Sequence, residues 1–243
     1  MLRQLLLFAL AYAGYQLVRG LVATSGPTAY ADARRIIGLE RRLHIFAEPS
    51  LQRWVAGHAH WLLTPAAFIY VNAHFALTVG ALTFIYLRRN ASFYFVRNMF
   101  MVAMLIALTA YALYPTAPPR LMPAWGFSDT VRQFLHANID RGAGSVLFNP
   151  YAAVPSMHVC VALMISLPMV ALVRHRIARV AWLSYPVVVA FVVVVTANHY
   201  FTDVLLGALT AAVSAAVALR LLPRARPGAW EFRGAAGPIR SSV

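Results

Sequence analysis

The sequence predicts an all-α, polytopic membrane protein: a bundle of six transmembrane helices with an amphipathic interfacial segment. Two observations carry that expectation. Of 243 residues, 61% are hydrophobic and only 12% charged, with a mean hydropathy of +0.67. The apolar residues come in runs of about 20, the length that crosses a bilayer as a helix, and not in narrow amphipathic stripes.

The runs are residues 5–24, 65–87, 95–114, 156–173, 178–197 and 200–222. Arg88-Arg89 closes the second, Pro115 the third, Arg174-His175-Arg176 the fourth and Pro223-Arg224 the sixth. Residues 187–195 are β-branched and would favour a strand in water. In lipid an isolated strand leaves its backbone polar groups unsatisfied, so a helix is expected. Ala11-Tyr12-Ala13 has the small-residue pattern of a signal-peptidase site, but apolar character continues to Ala23, which favours an uncleaved anchor. The expected organisation is a first span in residues 1–24, an interfacial segment 25–64, a catalytic membrane core 65–222 with an external loop 115–155, and a basic, disordered tail 223–243.

The net charge is +14, and all 21 basic residues are arginine. Nucleic-acid binding is not the expected use, because the charges sit at span ends and in connections, where the positive-inside rule places them. With six spans, the loops holding Arg88, Arg97, Arg174, Arg176 and Arg179, together with the tail, fall on one side. Both termini are then cytoplasmic, and the protein sits in a cell membrane. Arg34, Arg35, Arg41, Arg42 and Arg53 fall on the other side. Two readings stand for residues 32–56: a pair of amphipathic helices broken near Pro49 and lying on anionic headgroups, or a solvated basic loop. Cys160 is the only cysteine, so no intrachain disulfide forms and the redox compartment is not readable. The oligomeric state is not readable either.

Two segments whose histidines are 41 residues apart carry the chemistry: Pro155-Ser156-Met157-His158, and Asn198-His199-Tyr200-Phe201-Thr202-Asp203. Ser156 is a good N-cap, so a helix starts there, with free amides that favour an anion and His158 in its first turn. Asp203 is the only acid inside an apolar run, and a carboxylate near mid-bilayer costs about 2.5–3.5 kcal/mol on insertion scales. It lies four residues after His199, on the same helix face. Asp203 can accept from one imidazole nitrogen and leave the other as a nucleophile or base. The bland alternative is a buried pair that only joins helices. Spans four and six start on the same side, so His158 and His199 can meet. Tyr114-Pro115-Thr116-Ala117-Pro118-Pro119-Arg120 brings a cation to that side, suited to a phosphoryl group. A two-histidine, one-carboxylate metal site from His158, His199 and Asp203 is a weaker alternative, and His58, His60 and His74 are weaker still. The expectation is no metal and no cofactor. In the loop, Asp129 is expected to cap a short helix over residues 131–139.

These motifs resemble the type 2 phosphatidic acid phosphatase superfamily, whose signatures are Lys-x6-Arg-Pro, Pro-Ser-Gly-His and Ser-Arg-x5-His-x3-Asp. The second stands here as Pro155-Ser156-Met157-His158 and the end of the third as His199-x3-Asp203. The first keeps Arg120, but Leu113 holds its lysine position and Leu121 follows the arginine. Val192 and Val193 stand for Ser-Arg. With Asn72-Ala73-His74-Phe75 and Asn198-His199-Tyr200, these departures resemble the branch of inositol phosphorylceramide synthase and its bacterial relatives. The resemblance implies a metal-independent enzyme acting on a membrane lipid phosphate from the extracytoplasmic face. His199 would attack phosphorus, Asp203 would orient it, and His158 would handle the proton. Arg120 and Ser156 would hold the phosphoryl oxygens, and His74 is a further candidate contact. Fewer cations than the broad family fit a monoester or diester better than a diphosphate. Water as acceptor makes a phosphatase, and an inositol-like alcohol makes a transferase. The rival of another class is a small proton- or ion-coupled transporter using Asp203, and a non-catalytic scaffold is the third reading.

Overall fold

The computed structural model describes residues 26–88, 90–135 and 149–221, with isolated positions 6, 10 and 12–14. Apart from those positions, the first predicted span (5–24) lies outside the described residues. So do residues 136–148 of the long loop and the tail after 221. The described chain is helical and has no strand, only one isolated bridge between Thr116 and Ala152.

In chain order the helices are α1 (Gly26–Arg42), α2 (Glu48–His58), α3 (His60–Arg88), α4 (Asn90–Leu113), α5 (Thr130–Leu135), α6 (Met157–Leu172), α7 (Arg176–Val195) and α8 (Phe201–Arg220). α3, α4, α7 and α8 are long and apolar enough to cross a membrane. The β-branched run 187–195 is helical within α7, as bilayer solvation requires. α6 has only 16 residues, about 24 Å against a hydrocarbon core of about 30 Å. It can be short because it is the centre of the bundle, packed against α3, α4, α7 and α8. Cys160, Met164 and Ile165 of α6 meet Phe100, Ala103 and Ala107 of α4 and Ala211 of α8. The outward faces are apolar too: Leu105, Leu113, Val187 and Leu205 are all exposed. A bundle apolar both inside and out is a membrane protein.

The basic segment folds into two helices, α1 and α2, and not into an irregular loop. The break falls at residues 43–47, just ahead of Pro49, which sits in the first turn of α2, where a missing amide costs nothing. α1 buries Ala29, Ala33, Ile36 and Ile37 against Ala117, Phe127 and Tyr200, while Arg34, Arg35, Arg41 and Arg42 remain exposed. The buried faces of α1 and α2 also carry acids, Asp32, Glu40 and Glu48. Gln52 of α2 ties this cap to the rest. Its Nε2 donates to Ser128 O (2.9 Å), Thr130 Oγ1 (2.9 Å) and Val195 O (3.2 Å), and its Oε1 accepts from Ser128 N (3.0 Å). Asp129 caps α5 by accepting from Arg132 N at 3.0 Å.

Burial, the neighbouring Glu40 carboxyl and the loss of water push Glu48 up to about 8. Glu40, Tyr200 and Asp203 face one another across this junction. Glu48 is thus protonated in the fold across a range where the unfolded chain ionises it, so folding takes up a proton. Glu48 therefore contributes stability that is fully present below about pH 4.5 and is lost as pH rises through about 8, and Glu48→Gln is expected to remove that part of the pH dependence. Melting temperatures of wild type and Glu48→Gln in detergent between pH 5 and 9 check it; a difference between the two that does not change with pH contradicts the assignment.

Candidate active site

The site is built where the end of α7 meets the start of α8. α7 closes at Val195, and Ala197 turns the chain back with φ +55°, a left-handed conformation unusual for a residue with a Cβ. The turn is pinned on every side. Asn198 N and His199 N both donate to Val193 O, at 3.0 and 3.1 Å, and Arg120 N donates to Ala197 O at 2.7 Å. Asn198 Nδ2 donates to Thr196 O (3.1 Å) and Thr196 Oγ1 (3.0 Å).

His199 is buried, and its Nδ1 lies 3.3 Å from Asp203 Oδ2. The same oxygen accepts from Tyr200 N at 3.0 Å. Asp203 therefore does two jobs. It orients the imidazole and satisfies a free amide at the start of its own helix, as an acid in the third helical position can. With Nδ1 engaged, Nε2 is the nitrogen left for chemistry.

His158 sits in the first turn of α6, whose N-cap is Ser156. The rings of His158 and His199 are 5.9 Å apart between centroids. Both line a cavity of about 80 Å³, with Arg120, Asn198, Tyr70 and Tyr111 also on its wall. Arg120 reaches it from a 3-10 turn, Pro119–Leu121, and its Nε donates to Asn198 Oδ1 at 3.1 Å. The expected residues from three distant stretches of chain thus converge on one small polar space inside an apolar bundle.

Ser156 stands apart from the others. It is fully buried and does not line the cavity. Its Oγ accepts from Val159 N at 3.5 Å, and its amide donates to Asp203 O at 3.0 Å. It therefore joins the start of α6 to α8.

The structure adds a residue that the motifs do not contain. α3 carries a π-helical turn, Ile69–Ala73, a form often found where a functional side chain must be re-aimed. The turn sets Tyr70 and His74 against His158. The Tyr70 ring stacks on His158 at 4.4 Å, and the His74 ring lies 4.9 Å away. His74 is held in turn by Tyr185 of α7, with Nδ1 2.8 Å from the hydroxyl. His74 meets the site through His158 and not from the cavity wall. A tyrosine and a histidine four apart inside an apolar run were the available signal for Tyr70.

Among the described residues no three His, Cys, Asp or Glu side chains are placed to hold one metal ion. His58 and His60 lie apart from the cavity. A comparison with protein families then settles the relationship: the model of the PAP2 superfamily matches residues 34–217. The chain belongs to the PAP2 superfamily. Neither the curated proteins nor the solved structures contain a significant match to it. Members of the PAP2 superfamily are phosphoesterases, so this protein is a membrane enzyme of phosphatase or phosphotransferase type. The family match spans all the converging residues, Arg120, His158, His199 and Asp203, and also the cap from Arg34 onward.

Proposed function

We propose that this protein is an integral-membrane lipid phosphatase or phosphotransferase that works through a phosphohistidine on His199, without a metal. The observation that supports it best is the pairing of His158 and His199 across one cavity, with Asp203 on Nδ1 of His199 and Arg120 on the wall. In the first half, His199 Nε2 attacks phosphorus and the bond to the leaving oxygen breaks. That oxygen takes a proton from the His158 imidazolium. In the second half, water or an alcohol gives its proton to His158 and attacks phosphorus, and the P–N bond breaks. Arg120 offers charge to the phosphoryl oxygens.

Among the described residues, Arg120 is the one Arg on the cavity wall. Leu113 at the family's lysine position is exposed on the bundle surface, and Val192 and Val193 are packed in its core. A wall so poor in cations supports a monoester or diester over a diphosphate. An apolar groove of about 560 Å³ between α3, α6 and α7 runs from Asn72 and Ala73 past Phe84 and Trp182. Beginning beside His74, it suits an acyl chain. The departures from the broad motifs support the branch resembling inositol phosphorylceramide synthase, and hence an alcohol acceptor as the alternative to water. A transporter would need Asp203 on an open path. Its side chain is fully buried, lines no part of this cavity and is held by His199 and Tyr200.

The test is a screen of lipid phosphates in detergent, read by thin-layer chromatography and phosphate release, with and without added inositol or a lipid alcohol. Phosphate release without alcohol supports the phosphatase. A new lipid product only with alcohol supports the transferase. No reaction with any lipid phosphate tells against both.

Six spans with cytoplasmic termini would put the site on the extracytoplasmic face. Cys160 is buried, so Ala124→Cys, on the exposed stretch after Arg120, offers a clean label. A membrane-impermeant maleimide is expected to label it in intact cells. Labelling only after lysis would reverse the topology.

A further inference from the structure

α8 begins at Phe201, and the first amides of a helix have no partner within it. Tyr200, at the N-cap, is a residue type that supplies no good cap. Three consecutive amides here are nevertheless satisfied by carboxyl oxygens. Tyr200 N donates to Asp203 Oδ2, from the same helix. Phe201 N donates to Glu48 Oε1 at 2.9 Å. Thr202 N and Thr202 Oγ1 both donate to Glu40 Oε1, at 2.7 and 2.8 Å. Glu40 and Glu48 come from α1 and α2, more than 150 residues earlier in the chain, and neither exposes any surface.

Two adjacent buried carboxyls are costly unless they share a proton or accept strong hydrogen bonds. The two glutamates are in contact with each other as well as with the amides. Such an arrangement is more than an ordinary cap needs, since a single Ser or Asp at the N-cap would serve. Its location explains it. Upstream, the end of α7 and Arg120 hold residues 197–199. Downstream, the glutamates hold residues 201 and 202. His199 and Tyr200 lie between the two clamps. Helix starts often bind phosphate through their free amides, but these α8 amides are already occupied.

We propose that Glu40 and Glu48 are positioning residues for the reaction: through the Phe201 and Thr202 amides they hold His199 in line with the phosphoryl group. The role of the cap helices is thus to complete the site from outside the bundle. This rests on His199 being the nucleophile. Misplacing a reacting group by about 1 Å costs on the order of 10²-fold in rate.

The experiment compares Glu40→Ala, Glu48→Ala, Glu40→Gln and Glu48→Gln in the full chain, with kcat, KM and acid-labile phosphate incorporation measured on whichever lipid phosphate the wild type turns over. Glutamine keeps the accepting oxygen, so the Gln variants are expected within about threefold of wild type. The Ala variants are expected to lose roughly 10–100-fold in kcat and in the rate of phosphohistidine formation, with KM little changed. If an Ala variant does not fold, the Asp variant at the same position, one methylene shorter, is read instead, with a loss of about tenfold expected. Leu39→Ala, on the exposed face of α1, is the control and should leave kcat unchanged. Ala variants with wild-type kcat would overturn the proposal, as would Gln variants that lose as much as Ala. A wild type that turns over without ever carrying phosphate on His199 would instead overturn the nucleophile assignment itself.

Discussion

His199→Ala is expected to lower turnover by at least roughly 10³-fold and to remove the acid-labile phosphate that the wild type carries during turnover. The expectation comes from the division of labour in the site. Asp203 engages Nδ1 of His199 and is itself held by the Tyr200 amide, which is why we assign the attack to His199 and the proton to His158, the other imidazole on the cavity wall. His158 is 5.9 Å away between ring centroids and stacked under Tyr70, placed to move protons. Its loss should therefore look different. With a leaving group as poor as a lipid alkoxide, His158→Ala should be nearly as damaging. With p-nitrophenyl phosphate, whose leaving oxygen needs no proton, the first half-reaction should survive and phosphoenzyme should accumulate, because activation of the acceptor is lost. Rapid-quench labelling with both substrates separates the two histidines. Full activity in His199→Ala would sink the mechanism.

The second large effect is expected at a residue with no side chain. Gly207 lies one turn beyond Asp203, where α8 presses on the start of α6. A Cβ there would overlap the Ser156 carbonyl oxygen and crowd its side chain. Ser156 cannot yield easily, since its amide is bonded to Asp203 O and its carbonyl accepts from Cys160 N, at 3.0 and 3.1 Å. Gly207→Ala must therefore push α6 away from α8, carrying His158 off His199. Overpacking of this kind costs about 1–3 kcal/mol, and a shift of the catalytic pair should lower kcat by tenfold or more. Gly57→Ala is the matched control. It is an exposed helical glycine, with nothing within 4 Å of an added Cβ. It should be neutral or stabilising by about 0.5–1 kcal/mol, with kcat unchanged. Melting temperature and kcat on the two variants decide it. Wild-type behaviour in Gly207→Ala would mean that the α6–α8 contact does not set the site.

The residues legible in advance share one property: their signal lies within a few neighbouring positions. His199 and Asp203 are four apart on one helix, Ser156 opens α6, Asp129 opens α5, and Arg120 ends a run stiffened by prolines. The residues that were not legible act across the chain. Glu40 and Glu48 look like ordinary acids in a basic stretch, and only the packing of α1 and α2 turns them onto the amides of Phe201 and Thr202. Tyr70 reads as one more aromatic in an apolar run until the π-helical turn sets it on His158. The same holds for α6. Its apolar run alone asks for a full span, whereas its 16 helical residues suffice because four neighbours surround it.

By itself, then, the amino-acid sequence determined a helical membrane protein and the family's histidines and aspartate. Hydropathy over about 20 residues and spacing within one helical turn are properties of consecutive residues, and a bilayer leaves helices as the way to satisfy the backbone. Only the tertiary structure decided what holds those residues in place: the Arg120 amide on the Ala197 carbonyl, the Tyr70–His158 stack, the glutamates over α8 and the bare contact at Gly207. Each is a close approach between segments far apart in the chain. Such approaches are set by how the whole bundle packs, and no local pattern of residues encodes them.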